Sequence, residues 1–186
     1  MAARLSRRNN IILGVVAVAL IVLGAAYLWR GNQASNAFET LAATGQAALS
    51  QVVTPSSRGG GHLAPGAQHT YQERFPTSGI HSPSTVKAGF YDRVQAPTFL
   101  VHNIEHGHIV IYYDDPGAET IRTLREWTSL YEGRWDGVVA VLAPGLGQKV
   151  VLTAWLKLLE FDRFEPAAAA AFIDAYRGRG PEHRVR

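Results

Sequence analysis

A charge-free apolar stretch over residues 11–29 constrains this chain more than any other feature. It is close to the roughly 20 residues that a helix needs to cross the hydrocarbon core of a bilayer, and it predicts a transmembrane helix. A cleaved secretory signal is the alternative, because Gly24-Ala25-Ala26 places small residues near the end of the stretch. Signal cores usually span about 7–15 residues, so the length favours an uncleaved signal-anchor.

Basic residues flank this stretch unequally. Arg4, Arg7 and Arg8 precede it, whereas only Arg30 closely follows it. Cytoplasmic flanks are the ones enriched in Lys and Arg, so we expect residues 1–10 in the cytoplasm. The sequence thus predicts a single-pass protein of the inner (cytoplasmic) membrane whose C-terminal domain is extracytoplasmic, either periplasmic or extracellular.

The composition narrows the chemistry that the extracytoplasmic part can use. The chain contains no cysteine, which rules out disulfides and thiolate metal ligands, and Met1 is its only methionine, which rules out a soft thioether copper(I) site. The net charge of +3 owes much to the two ends of the chain, and acids and bases are interspersed between them. We therefore expect contact with lipid head groups and no nucleic-acid interface.

Beyond the apolar stretch the sequence divides into a stalk with a linker, over residues 30–61, and an extracytoplasmic domain over residues 62–186. The domain opens with a segment over residues 62–97 that is rich in proline and glycine and has no helical period; long ordered loops of this kind are usually functional. Regular patterns follow it. They predict strands at 109–113, 138–142 and 150–155 and helices at 118–131 and 165–176. The predicted fold class is α+β: a small antiparallel sheet, with 150–155 beside 138–142, and two helices on one face.

Polar residues crowd the start of the first strand. His102, Glu105, His106 and His108 lie within seven residues, around Gly107. Neutral imidazoles with a carboxylate suit zinc, copper(II) or non-haem iron, and His102 and His106 could share a face only if the intervening turn is helical. The spacing matches no zinc-protease motif. Histidines that only satisfy backbone groups of a loop are the alternative, and the residues alone leave both open.

Two motifs carry a family resemblance: PTSG-x-H, which ends at His81, and VHN-x-EHG, which contains His102, Glu105 and His106. With His62, Tyr71, GFY at 89–91, LTAW at 152–155 and GPE at 180–182, they make the chain from about residue 62 onward similar to a bacterial family catalogued as domain of unknown function 3105. Proteins of that family typically have one N-terminal membrane span and no established activity.

Carrying the family motifs over residue by residue points to a set of candidate metal ligands, while the family itself leaves their chemistry open. The four main positions are His81, His102, Glu105 and His106. Three further positions are possible additions: His62, Tyr91 and His108. His108 stands where the family usually has a small residue, so it is an optional ligand, and Phe75 stands where a second proline is usual, which alters only loop stiffness.

Three functions are compatible with these residues. The first is a membrane-tethered module that binds copper(II) or zinc through the clustered histidines. The second is a non-catalytic accessory subunit of a larger membrane protein complex, in which the histidines only organise the loop. The third is a hydrolase that uses Glu105 as a base beside a metal-bound water. The sequence shows no second catalytic signature and favours a binding role over an enzyme.

Overall fold

The computed structural model describes residues 7–186, with side chains described from Ile12 onward. Arg4, and with it most of the predicted cytoplasmic segment 1–10, lies outside the described residues. The helices are α1 (Arg7–Thr44), a 3-10 helix (Gln46–Gln51), α2 (Pro97–Glu105), α3 (Ala118–Leu130) and α4 (Pro166–Tyr176). The strands are β1 (Gly89–Tyr91), β2 (Ile109–Tyr113), β3 (Val138–Leu142), β4 (Val150–Ala154) and β5 (Lys157–Phe161).

The chain forms two compact units, of which the first extends to Ala37. It contains most of α1, and its side chains over residues 12–33 are exposed although nearly all of those before Trp29 are apolar. Ile12–Thr44 is long and apolar enough to cross a membrane, and its position near the N-terminus also suits a signal sequence. The predicted helix over residues 11–29 therefore lies within a candidate span or signal anchor, and its orientation stays a prediction.

The second unit, Phe38–Arg186, is built on one five-stranded sheet in the order β1-β3-β2-β4-β5. β3 pairs in parallel with both β1 and β2, whereas β4 pairs antiparallel with β2 and β5. The predicted α+β class is confirmed. The predicted antiparallel sheet is only partly right, because β3 and β4 are not neighbours: β2 lies between them, and β5 follows β4 through a tight turn.

Apolar side chains cover both faces of the sheet, so the central strand β2 is buried along its whole length. Ile109, Ile111 and Tyr113 face the cluster that contains α3, α4 and the end of α1. Val110 and Tyr112 face the other cluster, which contains α2 and part of the irregular segment before it. Alternation along a strand explains the division, and it places α2 alone among the helices on the second face.

The sequence did not predict α2, which is the element most relevant to function. It begins at Pro97, whose fixed φ and missing N–H suit the first turn of a helix, after an extended Ala96. It ends before Gly107, whose φ of +99° is in the region that favours glycine. His102 and Glu105 thus lie on a helix rather than in the predicted turn before the strand.

Candidate metal centre

The last turn of α2 supplies three polar side chains on one side of the helix end. His102 and Glu105 belong to its final residues, and His106 caps it, with its backbone N–H donating to His102 O at 3.1 Å. Residues four apart on a helix lie one above the other, and the rings of His102 and His106 have centroids 4.5 Å apart. The turn between His102 and His106 is therefore helical, which is the condition under which the two side chains share a face.

Two more histidines come from the irregular segment, which holds them side by side. His62 and His81 form a parallel bridge in which Leu63 N–H donates to His81 O at 2.7 Å and His81 N–H donates to Gly61 O at 2.9 Å. Their ring centroids are 5.2 Å apart. Gly60 contributes to the fit, because a Cβ there would lie 3.2 Å from Glu105 Oε1.

We call His62, His81, His102 and Glu105 the inner group. Each offers one ligand atom, and these four atoms all lie within 4.8 Å of one another. His81 is fully buried and His102 is 5% exposed, whereas His62 is exposed and opens the group to solvent. The inner group therefore consists of three imidazoles and one carboxylate, and it reaches the protein surface at His62.

The contact between His81 and Glu105 is the least ordinary feature of the inner group. His81 Nδ1 lies 2.8 Å from Gly79 O, and since a carbonyl oxygen can only accept, Nδ1 carries the proton. In the neutral ring Nε2 is then an acceptor, yet it lies 2.9 Å from Glu105 Oε2, another acceptor. His81 Nε2 is buried and makes no hydrogen bond within the described part of the chain. Two facing lone pairs need a proton or a cation between them.

His102 is held neutral in this environment. Burial, with the neighbouring imidazoles of His106, His81 and His62, lowers its pKa from 6.5 to about 4, against the opposing effect of Glu182. Its Nδ1 is buried and has no hydrogen-bond partner among the described residues. A neutral imidazole with a free nitrogen is the form that ligates metals.

A second group, which we call the outer group, consists of His102, His106 and Glu182. Its three ligand atoms also lie within 4.8 Å of one another. His106 Nε2 is 2.8 Å from Glu182 Oε2, and His102 Nε2 is 4.0 Å from the same oxygen. Burial lowers the pKa of His106, and the carboxylate of Glu182 opposes this effect. Glu182 is not among the site residues predicted from the sequence, although GPE at 180–182 belongs to the family resemblance and was the available signal.

Glycine contacts place Glu182 beside α2. Gly178 N–H donates to Gly107 O at 2.8 Å, and Glu182 N–H donates to Glu105 O at 3.4 Å. Gly180 packs so closely that a Cβ there would overlap Glu105 O. The C-terminal segment therefore docks on the end of α2 through backbone contacts that only glycine allows.

Two of the optional positions lie outside both groups. His108 uses both ring nitrogens: Nε2–H donates to Arg134 O at 2.7 Å, and Nδ1 accepts from Asn103 Nδ2 at 2.8 Å. Burial lowers the pKa of His108. Tyr91 ends β1, and its hydroxyl donates to Lys87 O at 2.7 Å. The structure thus brings together His62, His81, His102, Glu105 and His106 and leaves His108 and Tyr91 apart.

Comparison with protein families places the chain in a known family. The model of a family described as a protein of unknown function, DUF3105, matches residues 62–186, and the resemblance inferred from the paired motifs is confirmed. Comparison with curated proteins and with solved structures gives no significant match.

Proposed function

The chain belongs to this family of unknown function, DUF3105, and from the inner group we propose that it is a membrane-anchored protein that binds a zinc or copper(II) ion outside the cytoplasm. The ligands are His62, His81, His102 and Glu105. Three imidazoles and a carboxylate make a donor set that suits both ions. The N-terminal helix holds the domain at the inner membrane, with the N-terminus in the cytoplasm.

One observation supports this proposal above the others: His81 Nε2 lies against Glu105 Oε2, and in the neutral ring both atoms are acceptors. Two ligands bound tetrahedrally at roughly 2.0–2.1 Å are about 3.3 Å apart. The observed 2.9 Å is within a few tenths of an ångström of that separation. Because Gly79 fixes the His81 proton on Nδ1, the lone pair of Nε2 is free for a cation without any change of tautomer.

The same geometry favours binding over hydrolysis. Glu105 lies among the proposed ligands and is too close to His81 Nε2 to act as a separate base on a metal-bound water. We therefore assign Glu105 as a ligand, and we propose no catalytic residue.

The test is metal binding by the full chain purified in detergent and stripped with a chelator. We expect competition titrations with zinc and copper(II) to show tight binding that His62→Ala and Glu105→Gln each weaken strongly. His62 is exposed, so its loss should leave the fold intact. His69→Ala is the matched control, because His69 lies outside both groups and its ring packs on Tyr71.

The outcome separates the alternatives from the sequence. Absence of tight binding in the parent chain, or binding that neither variant weakens, would overturn the proposal. A metal-free chain that co-purifies in mild detergent with a stoichiometric membrane protein would instead support the accessory-subunit role.

A further inference from the structure

His102 belongs to both the inner group and the outer group. One metal ion bound in the inner group does not explain why the outer group exists. The ring centroid of His102 is 4.8 Å from that of His62 and 5.0 Å from that of His81, and it is 4.5 Å from that of His106. The ring of His102 therefore lies close to histidines of both groups.

We propose that a second divalent transition-metal ion binds at His102, His106 and Glu182, and that the imidazole of His102 bridges the two ions. This inference rests on the proposed function, because it requires the inner group to bind the first ion. On the second ion, Nε2 of His102 and of His106 and a carboxylate oxygen of Glu182 are the protein ligands.

The two nitrogens of His102 are in different situations, and both fit this assignment. Nε2 lies on the side of Glu182, at 4.0 Å from Oε2. Nδ1 is buried and has no hydrogen-bond partner within the described residues. Buried imidazole nitrogens are normally satisfied, so an unpartnered one in a histidine cluster points to a missing ligand. One ion can use only one nitrogen, whereas two ions use both.

Bridging has a defined proton balance. A neutral imidazole carries one N–H proton, and it must release that proton to solvent when its second nitrogen binds a metal. No electron is transferred, and the ring becomes an imidazolate anion between two cations. The two metals would lie about 6 Å apart, because the ring nitrogens are on different edges of the ring and each bond is about 2 Å.

The outer group is a constructed site rather than a chance ion pair on the surface. His106 is 8% exposed, and its ring packs on Trp135 at a centroid distance of 4.2 Å. Gly180 brings the segment that holds Glu182 into backbone contact with the end of α2. The carboxylate and the ring thus meet because two separate packing arrangements position them.

The two positions differ in the number of ligands, which predicts different roles. The inner group supplies four protein ligands, the number that structural zinc sites usually have. The outer group supplies three and includes the part-exposed carboxylate of Glu182, so a fourth position is open to water or to an external ligand. We assign the outer position to the exchangeable ion.

The first experiment is the metal stoichiometry of the full chain in detergent, measured with zinc by elemental analysis after gel filtration and by calorimetry. We expect two ions per parent chain, one per chain for Glu182→Gln, and two for the control Glu160→Gln, whose carboxylate pairs with Lys149 on the surface. Circular dichroism checks that each variant is folded.

The result distinguishes failure of this inference from failure of the proposed function. One ion in both the parent and Glu182→Gln would overturn the second site and leave the first intact. Two ions in both the parent and Glu182→Gln would show that Glu182 is not a ligand of the second ion. An absence of bound ions in the parent would overturn both proposals.

The second experiment tests the bridge, with copper(II) as the probe and electron paramagnetic resonance as the readout. At one equivalent we expect the spectrum of an isolated copper. At two equivalents, exchange through the His102 imidazolate should reduce the integrated signal well below that of two independent spins, and Glu182→Gln should restore the isolated spectrum. A signal from the parent equal to the sum of two isolated coppers would overturn the bridge.

Discussion

Replacing Glu105 by glutamine keeps the shape of the side chain but exchanges one carboxylate oxygen for an amide N–H. In the metal-free protein that N–H can donate to His81 Nε2, which in the neutral ring is a buried acceptor facing another acceptor. The variant should therefore be within about 1 kcal/mol of the parent in its metal-free free energy of unfolding, because a neutral hydrogen bond replaces the facing lone pairs.

The same substitution should remove most of the stabilisation that metal provides. A ligand present at about 1,000 times its Kd stabilises the folded state by about 4.1 kcal/mol. Changes beside a metal ligand already weaken affinity by about 10–100-fold, so loss of the carboxylate ligand itself should cost at least about 100-fold. At the same metal concentration about 1.4 kcal/mol then remains.

Thermal unfolding of the full chain in detergent, followed by circular dichroism with and without zinc, measures this difference. For a unit of the size of Phe38–Arg186, about 1 kcal/mol shifts Tm by roughly 2–4 °C. The zinc-dependent shift should fall from about 8–16 °C in the parent to about 3–6 °C in Glu105→Gln. Glu73→Gln is the control, because Glu73 pairs with Arg58 at the surface, away from both groups.

Two results would refute this account of the contact. One is a zinc-dependent shift that is unchanged in Glu105→Gln. The other is a parent with no zinc-dependent shift and a metal-free variant destabilised by about 3–5 kcal/mol, which is the cost of breaking a buried ion pair. That second pattern would mean that a proton, and not a metal, lies between His81 and Glu105.

Three further predictions follow from neighbouring residues. His108→Ala should lower the free energy of unfolding in urea by about 2–4 kcal/mol, because it removes a buried ring and its partners' hydrogen bonds. The metal stoichiometry should stay unchanged, and a lost ion would contradict the placement of His108 outside both groups. Gly180→Ala should weaken the outer ion at least about tenfold in competition titrations, whereas Gly31→Ala, whose Cβ would meet nothing within 4 Å, should change nothing. The pKa of His102 is lowered from 6.5 to about 4, so the unfolded state takes up the proton first as the pH falls. Between pH 7 and pH 5 the free energy of unfolding of the metal-free chain should therefore fall by about 1–2 kcal/mol. A urea midpoint that stays constant or rises would contradict this.

The regular part of the fold was predictable because its patterns are local. The strand predicted over residues 109–113 coincides with β2, since a β-branched run ends at a strong Asp-Pro-Gly turn signal, and α3 and α4 agree closely with the predicted helices. The sheet order was not predictable in the same way. β4 follows β3 in sequence but pairs with β2. Packing against both faces of the sheet determines this pairing, and no local sequence pattern indicates it.

The candidate site shows the same division. The resemblance named His81 and His62 although they lie far from α2 in sequence, and the structure explains why they meet: a parallel bridge aligns them beside the helix end. Glu182 escaped selection because a single glutamate in a polar C-terminal segment has no distinguishing pattern. Its role depends on the close backbone approach at Gly180, which only the folded chain displays.

The location of the histidines at the C-terminal end of α2 argues for cations on electrostatic grounds. The last carbonyl groups of a helix carry a partial negative charge, and Glu105 and Glu182 add two carboxylates to a cluster in which burial lowers the pKa of His102 and His106. A proton can compensate Glu182 by charging an imidazole, but the lowered pKa of His102 and His106 opposes that solution. Divalent ions compensate the carboxylates without protonating any of the imidazoles. Two divalent ions, two carboxylates and an imidazolate at His102 give a net charge of about +1, whereas the two carboxylates alone give −2. The helix end favours the more positive charge. An anionic fourth ligand at the outer position can lower it further.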